Sequence, residues 1–346
     1  MNCLKSSRPL RGFFDRGHAW LWAGLLLVTV GFTVHAQTGA NQRPVRLNLV
    51  AMDSAGQPVP DLAASELAVS DNGSPQQLVT LRLRQGDKPR PVVVLFDLLN
   101  AGESSRGAVW NALKAPLARV QSTGPLYLYL LAPDGSLYPV HGLPAAPVSQ
   151  AEADAAWVKD AGPLLDAAMQ KVTQLKPLAF RAVSPTSLQE RFKATYTALE
   201  DMRVRMAALR GPKELLWISY GIPSTIHFVD RTWFYGAPFL QQLGDRFVRT
   251  ETTVYTADPG IDLERGILDR DSLDILTAAT GGRAFSTVDL NRAIAKIQAD
   301  ARASYSVEYQ PPANNWDGKY HKLRITVARK GVRLQTEPGY YAVSGS

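Results

Sequence analysis

The chain has 346 residues, 45% of them hydrophobic and 20% charged, with a formal charge of +7. That is ordinary globular composition, with enough apolar residues for one large core and a smaller one. One cysteine, Cys3, excludes a disulfide framework, and charges of both signs mixed along the chain exclude the concentrated basic stripe of a nucleic-acid-binding protein.

Lys5, Arg8, Arg11 and Arg16 give a basic start, and residues 19–34 form an apolar run followed by Val34-His35-Ala36. A basic segment, an apolar segment and small residues before a cut predict a secretory signal peptide over residues 1–36, cleaved between Ala36 and Gln37. The run of sixteen residues falls short of the roughly 18–20 that span a bilayer, so a cleaved leader is favoured over an anchor. The expected location is secreted or periplasmic. Removing residues 1–36 takes away four basic side chains, one acid and Cys3, and leaves +4.

From Val45 the pattern is that of strands. Val45, Leu47 and Leu49 alternate with Arg46 and Asn48, Asn72-Gly73 marks a tight hairpin turn, and residues 78–83 alternate again. Residues 37–88 therefore form an N-terminal β segment, with a linker at 85–89. The grammar then changes. Residues 92–96 (VVVLF), 126–131 (LYLYLL), 213–219 (KELLWIS) and 252–257 (TTVYTA) read as strands buried on both faces. Helices are predicted near 104–120, 150–175, 187–210, 239–249, 268–279 and 290–303, with Pro116 inside the first. Strands alternating with helices over 89–303 predict an α/β domain with a doubly wound, mostly parallel sheet. Residues 304–346 return to alternating strands and form a C-terminal β segment. Each β segment alone is too thin to bury two faces, so the two are expected to complete one accessory antiparallel β domain together.

In a doubly wound sheet, ligands bind at the carboxyl ends of the strands. Three loops are expected on one rim: 97–102 (DLLNAG), 219–221 (SYG) and 258–260 (DPG). The succession PVVVLFD, KELLWISYGIP, TTVYTADPGID and LDILTAATGGRAFSTVDLNRAIAKI resembles a von Willebrand factor type A (vWA) domain, and with its flanking β segments the chain resembles the bacterial vWA-related family over roughly residues 43–343. The resemblance implies a Rossmann-like sheet whose rim, in metal-binding members, carries Asp-x-Ser-x-Ser, a Thr and a second Asp. Asp97 matches the first Asp. Leu99 and Ala101 stand where the serines would be, and Tyr220 where the second Asp would be. Thr186 is a candidate for the Thr. Oxygen ligands suit Mg²⁺, and this set lacks most of them. Asp97 is the one metal candidate, in a degenerate metal-ion-dependent adhesion site, and its carboxylate is expected to cap its own loop, with Asn100 as a second cap. No cofactor is expected. The rival is a metal-dependent adhesion receptor with a divergent Mg or Mn site built from Asp97, Asn100, Thr186 and Asp258.

Catalytic signals are absent from the sequence. Ser219-Tyr220-Gly221 is half of a nucleophile elbow with Trp217 at the first glycine position, and there is no HExxH, P-loop or GxGxxG motif. Asp269, Asp271 and Asp274 bracket a helix start, where the dipole favours them. Trp233, Phe234 and Tyr235, expected on a loop after the second rim loop, cannot all point into one core, and exposed aromatics are typical of protein contacts. The expected function is an exported, non-enzymatic protein-interaction module of the cell envelope or exterior, contacting its protein partner through Asn100, Tyr220, Trp233 and Tyr235.

Overall fold

The computed structural model describes residues 44–84, 89–118, 124–143, 150–178, 184–259, 270–285 and 289–342. The leader, its cleavage point at Ala36 and Gln37, most of the 85–89 linker and Gly260 lie outside them.

Four strands come first: β1 (Val45–Met52), β2 (Leu67–Asp71), β3 (Ser74–Gln76) and β4 (Leu78–Leu83). Asn72 and Gly73, with φ of 47° and 83°, make the β2–β3 turn, as the Asn-Gly pair requires. The α/β body follows, with β5 (Val92–Asp97), α1 (Glu103–Ala118), β6 (Leu126–Leu131), β7 (Leu137–His141), α2 (Gln150–Thr173), α3 (Pro185–Met206), β8 (Lys213–Ile218), β9 (Thr225–His227), β10 (Trp233–Tyr235), α4 (Ala237–Arg249), β11 (Thr252–Ala257), α5 (Asp271–Ala278), β12 (Ala284–Phe285) and α6 (Leu290–Arg302). The closing strands are β13 (Ser304–Tyr309), β14 (Tyr320–Val327), β15 (Arg333–Thr336) and β16 (Gly339–Tyr341).

The body is a six-stranded sheet in the order β12-β11-β8-β5-β6-β7, parallel except for the antiparallel edge strand β7. Every residue of β5, β6, β8 and β11 is buried. Alternate residues face opposite helix layers. Val94 and Phe96 pack with α1, α2 and α6, while Val93 and Leu95 pack with α3, α4 and α5. Local chemistry sets the helix starts. Ser184 accepts the Ser187 amide ahead of Pro185 in α3, and Asp289 accepts the Arg292 amide in α6.

The two β segments interlace. One sheet runs β15-β1-β13-β4 and the other β16-β14-β2-β3, so each mixes strands from both ends of the body. β1 lies between β13 and β15, and β2 between β14 and β3. Their inner faces share a core that includes Leu47, Leu49, Val69, Val307 and Leu323. A buried polar seam joins this sandwich to the body. Arg90 spans Glu214 (2.8 Å), the Arg84 carbonyl and the Ser304 hydroxyl (2.6 Å each), and Arg84 donates to Asn48 Oδ1 at 2.6 Å. Gly281 sits against this seam. Its φ is +70° and a side chain there would meet the Asn48 carbonyl at 3.1 Å, so the stop after α5 needs glycine twice over.

Inside the sandwich, Asp71 is a hub. Its Oδ2 accepts from Tyr309 (2.8 Å), Asn315 (2.8 Å) and Tyr340 (3.0 Å), and its Oδ1 meets His321 Nδ1 at 2.8 Å. The hub ties β2 to β13, β14 and β16 in both sheets. Asp71→Ala leaves buried donors without an acceptor, which costs about 1–3 kcal/mol for a single group. We expect a loss of at least about 3 kcal/mol in urea denaturation, and a loss under about 1 kcal/mol would show the hub to be dispensable.

Candidate functional site

The strand order reverses between β5 and β8: after β5 the chain adds β6 on one side, then β8 on the other. The carboxyl ends of these two strands therefore open on the switch-point crevice where α/β sheets bind ligands. Asp97 ends β5, and Ser219 follows β8.

The crevice is closed from within. Asp97 is fully buried. Its Oδ1 accepts the Asn100 amide at 2.9 Å, and its Oδ2 accepts both Asn100 Nδ2 and the Ser219 hydroxyl at 2.7 Å. Asn100 Nδ2 also donates to Thr195 Oγ1 at 2.9 Å, and Ser219 Oγ accepts the Gly221 amide at 3.1 Å. Burial raises the Asp97 carboxyl above the usual carboxylate range, opposed by the donors from Asn100 and Ser219. Leu98, Leu99 and Ala101 pack inward at 1%, 1% and 2% exposure.

This chemistry does not fit a hydrated divalent ion. Mg²⁺ needs oxygen ligands with open lone pairs and room for its waters. Both Asp97 oxygens already accept hydrogen bonds, and Leu99 and Ala101 offer no oxygen. The residues of the rival site are also engaged or turned away. Thr186 is exposed in the first turn of α3, and Asp258 pairs with Arg270 at the end of β11. Among the described residues, no group of three or more His, Cys, Asp or Glu side chains is placed to share a metal. The threonine that reaches the crevice is Thr195, and Ser219 serves as a donor to Asp97. Sequence reasoning missed both roles. The signal for Thr195 was a polar residue in register with Phe192, Ala198 and Leu199 on the apolar side of α3.

Two residues expected at the partner-facing rim are placed elsewhere. Asn100 and Tyr220 are 1% and 6% exposed, because Asn100 bonds inward to Asp97 and Tyr220 packs in the core on the α1, α2 and α6 side. As they stand, neither offers a surface to a macromolecule.

The aromatic segment is not a loop but half of a β-hairpin, in which Trp233, Phe234 and Tyr235 pair with His227, Ile226 and Thr225. Its turn is held by the Phe228 amide on the Thr232 carbonyl (2.9 Å) and by Asp230, which accepts the Thr232 amide (3.0 Å) and hydroxyl (2.6 Å). Strand alternation sorts the three aromatics. Phe234 turns inward with Ile226, edge-on to Phe192 at 4.9 Å. Trp233 and Tyr235 turn outward at 53% and 57% exposure, with nearly parallel rings 6.2 Å apart. The His227 ring lies 4.5 Å from Trp233, and Val229 stands 96% exposed at the turn. The inner side borders a groove of about 520 Å³ whose apolar wall is Phe192, Tyr196, Phe234 and Phe239, with Glu190 and Lys193 beside it.

No protein-family model matches the chain, and no curated protein does. Solved structures similar to it include BatB from Bacteroides thetaiotaomicron (10% identity, TM-score 0.34, covering 61% of this chain and 96% of that one). Manganese-loaded TRAP protein from Plasmodium vivax is similar at 11% identity and TM-score 0.34, over 78% and 97%. Proximal thread matrix protein 1 from the mussel byssus is similar at 11% and 0.33, over 64% and 48%, so the chain spans about half of that protein. The human coat protein Sec24c is matched over 44% of its length. At such scores the architecture rests on its own strand order and register.

If the crevice is sealed by its own donors, millimolar MgCl₂ or MnCl₂ leaves the melting temperature unchanged, since binding to the folded state alone would raise it. Asp97→Ala strands three buried donors and is expected to cost about 2–3 kcal/mol. A cation-dependent rise that Asp97→Ala removes would reverse the assignment.

Proposed function

We propose that this chain is an exported binding module of vWA type that acts by protein contact, without a metal ion and without catalysis. The observation that carries the reading is the outer face of the β9–β10 hairpin. Trp233 and Tyr235 are large apolar side chains, both more than half exposed, on a two-stranded element anchored by Ile226 and Phe234. Isolated exposed apolar residues are common, but a contiguous set is not. Here Trp233 and Tyr235 stack beside the His227 ring on one face, with Val229 at 96% exposure at the turn. Rings held rigid before binding lose little freedom on association, which is why tryptophan and tyrosine dominate interface energies.

Two further observations support the reading. The Asp97 carboxylate is already satisfied by Asn100 and Ser219, which leaves the crevice no task in holding a cation. Ser219 is committed to that carboxylate, and the three histidines among the described residues are engaged elsewhere: His141 with the Leu126 carbonyl, His227 with Trp233 and His321 with Asp71. A secreted or periplasmic location is part of the proposal and rests on the composition of residues 1–36.

The test is a pull-down from the envelope fraction with the chain from Gln37 onward as bait, wild type against Trp233→Ala/Tyr235→Ala. Losing two anchors is expected to lower affinity at least tenfold with the melting temperature unchanged. Chelator is expected to have no effect. Association that survives the double substitution but disappears in chelator would favour the metal-dependent receptor.

A further inference from the structure

A groove of about 670 Å³ runs between α6, the edge strand β12 and residues 56–58 of the N-terminal β segment, within the roughly 300–1,000 Å³ of ligand sites. Four cationic side chains line it, Arg283, Arg292, Lys296 and Arg302, against one acid, Asp289. We propose that this groove binds an extended acidic peptide segment, with carboxylates of alternate residues on Arg292, Lys296 and Arg302 and its backbone along the open edge of β12. The site goes beyond the proposed function and shares no residue with the β9–β10 hairpin, so the two stand or fall separately.

The charges set the sign of the ligand. Asp300, buried behind the groove, takes Lys296 at 3.2 Å and Arg283 at 3.4 Å, and Arg283 also donates to Gln335 at 2.8 Å. Asp289 is occupied at the start of α6, where its Oδ1 accepts the Arg292 amide at 3.0 Å. Arg292 and Arg302 are exposed, and their guanidinium groups make no ion pair among the described residues. Four cations against two acids leave two positive charges without a counterpart, and a planar guanidinium takes a carboxylate through two parallel hydrogen bonds. A lone exposed arginine is ordinary surface, but these two line a concavity. Ala295 and Ala299 lie between them on the same side of α6, and side chains that end at Cβ let another chain approach the helix closely.

Spacing and the opposite wall select a peptide among anions. Arg292 and Arg302 stand about 15 Å apart along the helix, with Lys296 between them. Alternate side chains of an extended chain stand about 6.7 Å apart, so three of them span about 13 Å. β12 ends the six-stranded sheet. In its parallel pairing with β11, the Arg283 and Phe285 carbonyls accept the Thr256 and Asp258 amides at 3.2 and 3.1 Å, so the amide and carbonyl of Ala284 point to the open side. Ala284 is exposed and lines the groove. A peptide backbone can meet both groups as an added strand does, whereas a polyphosphate has no donor for the carbonyl.

Fluorescence anisotropy of a labelled Glu-Ser-Glu-Ser-Glu peptide, titrated with the protein, tests the proposal. The expected result is saturable binding in about 50 mM NaCl that weakens several-fold at about 300 mM, because exposed ion pairs are screened by salt. The Gln-Ser-Gln-Ser-Gln peptide should not bind. Arg292→Ala/Arg302→Ala should weaken binding about tenfold with the melting temperature unchanged, since neither side chain holds a partner in the fold. Arg302→Glu alone, a reversal of charge at one exposed position, should weaken it as well. Arg205→Ala/Arg210→Ala, which removes the same charge at the end of α3, should bind the peptide as the wild type does. No binding of the acidic peptide, equal binding of the glutamine peptide, binding unchanged in both groove variants, an equal loss in the α3 control, or tighter binding of inorganic polyphosphate of matched charge would each overturn the proposal.

Discussion

The rim of this protein is organised by one buried carboxylate. Asp97 stands at the end of a central strand, out of contact with water, at the point where an α/β sheet presents its ligand crevice. A charge so placed must be met by a ligand from outside or by donors from within. The chain supplies the donors. Asn100 folds back from the same loop with its amide and side chain, Ser219 reaches across from β8, and Thr195 holds Asn100 from α3. Four elements are thereby fixed around one side chain. Leu98, Leu99 and Ala101 pack as core beside it. The loop after β8 is then anchored at its root, and its outer part rises into the aromatic hairpin.

The sandwich reflects a constraint of a different kind. Chain ends separated by the whole α/β body are neighbours in both sheets, β1 with β13 and β15, β2 with β14. Such pairing has high loop-closure cost unless the body folds and brings residues 83 and 304 together. The Tyr305–Leu83 pairing and the Arg84 amide on the Ser304 carbonyl show where that junction is made. Arg84 and Arg90, buried in the seam, make the sandwich depend on the body as well as on its own two halves. A folding order in which the body precedes the sandwich follows from this geometry.

Much of this architecture was legible before any coordinates. Unbroken apolar runs at 92–96 and 126–131 meant strands buried on both faces, Asn72-Gly73 meant a hairpin, and the thin terminal segments had to find each other. The β9–β10 hairpin is less legible: Thr225–His227 alternates, but Trp233, Phe234 and Tyr235 are aromatic throughout and each strand has only three residues. The alternation that decides which aromatics are exposed is that of the strand backbone, not of residue type. The inward turn of Asn100 and Tyr220 was not legible, since a rim position in sequence does not say whether a side chain finds its partner inside. Ser219 and Thr195 were hidden for a related reason: a hydroxyl that completes a buried carboxylate is separated from it in sequence by about a hundred residues and has no motif of its own. The groove beside Arg292 and Arg302 depends on residues 56–58 meeting α6 across β12, which no local pattern encodes.

The account turns on whether Asp97 is satisfied from within. Its side-chain carboxyl resonance, observed in protein labelled with ¹³C at the aspartate carboxyls and assigned through Asp97→Asn, reports this directly. The account predicts a shift characteristic of a buried, hydrogen-bonded carboxyl that does not move with millimolar Mg²⁺ and is not broadened by paramagnetic Mn²⁺. A resonance that moves with Mg²⁺ and vanishes with Mn²⁺ would contradict it.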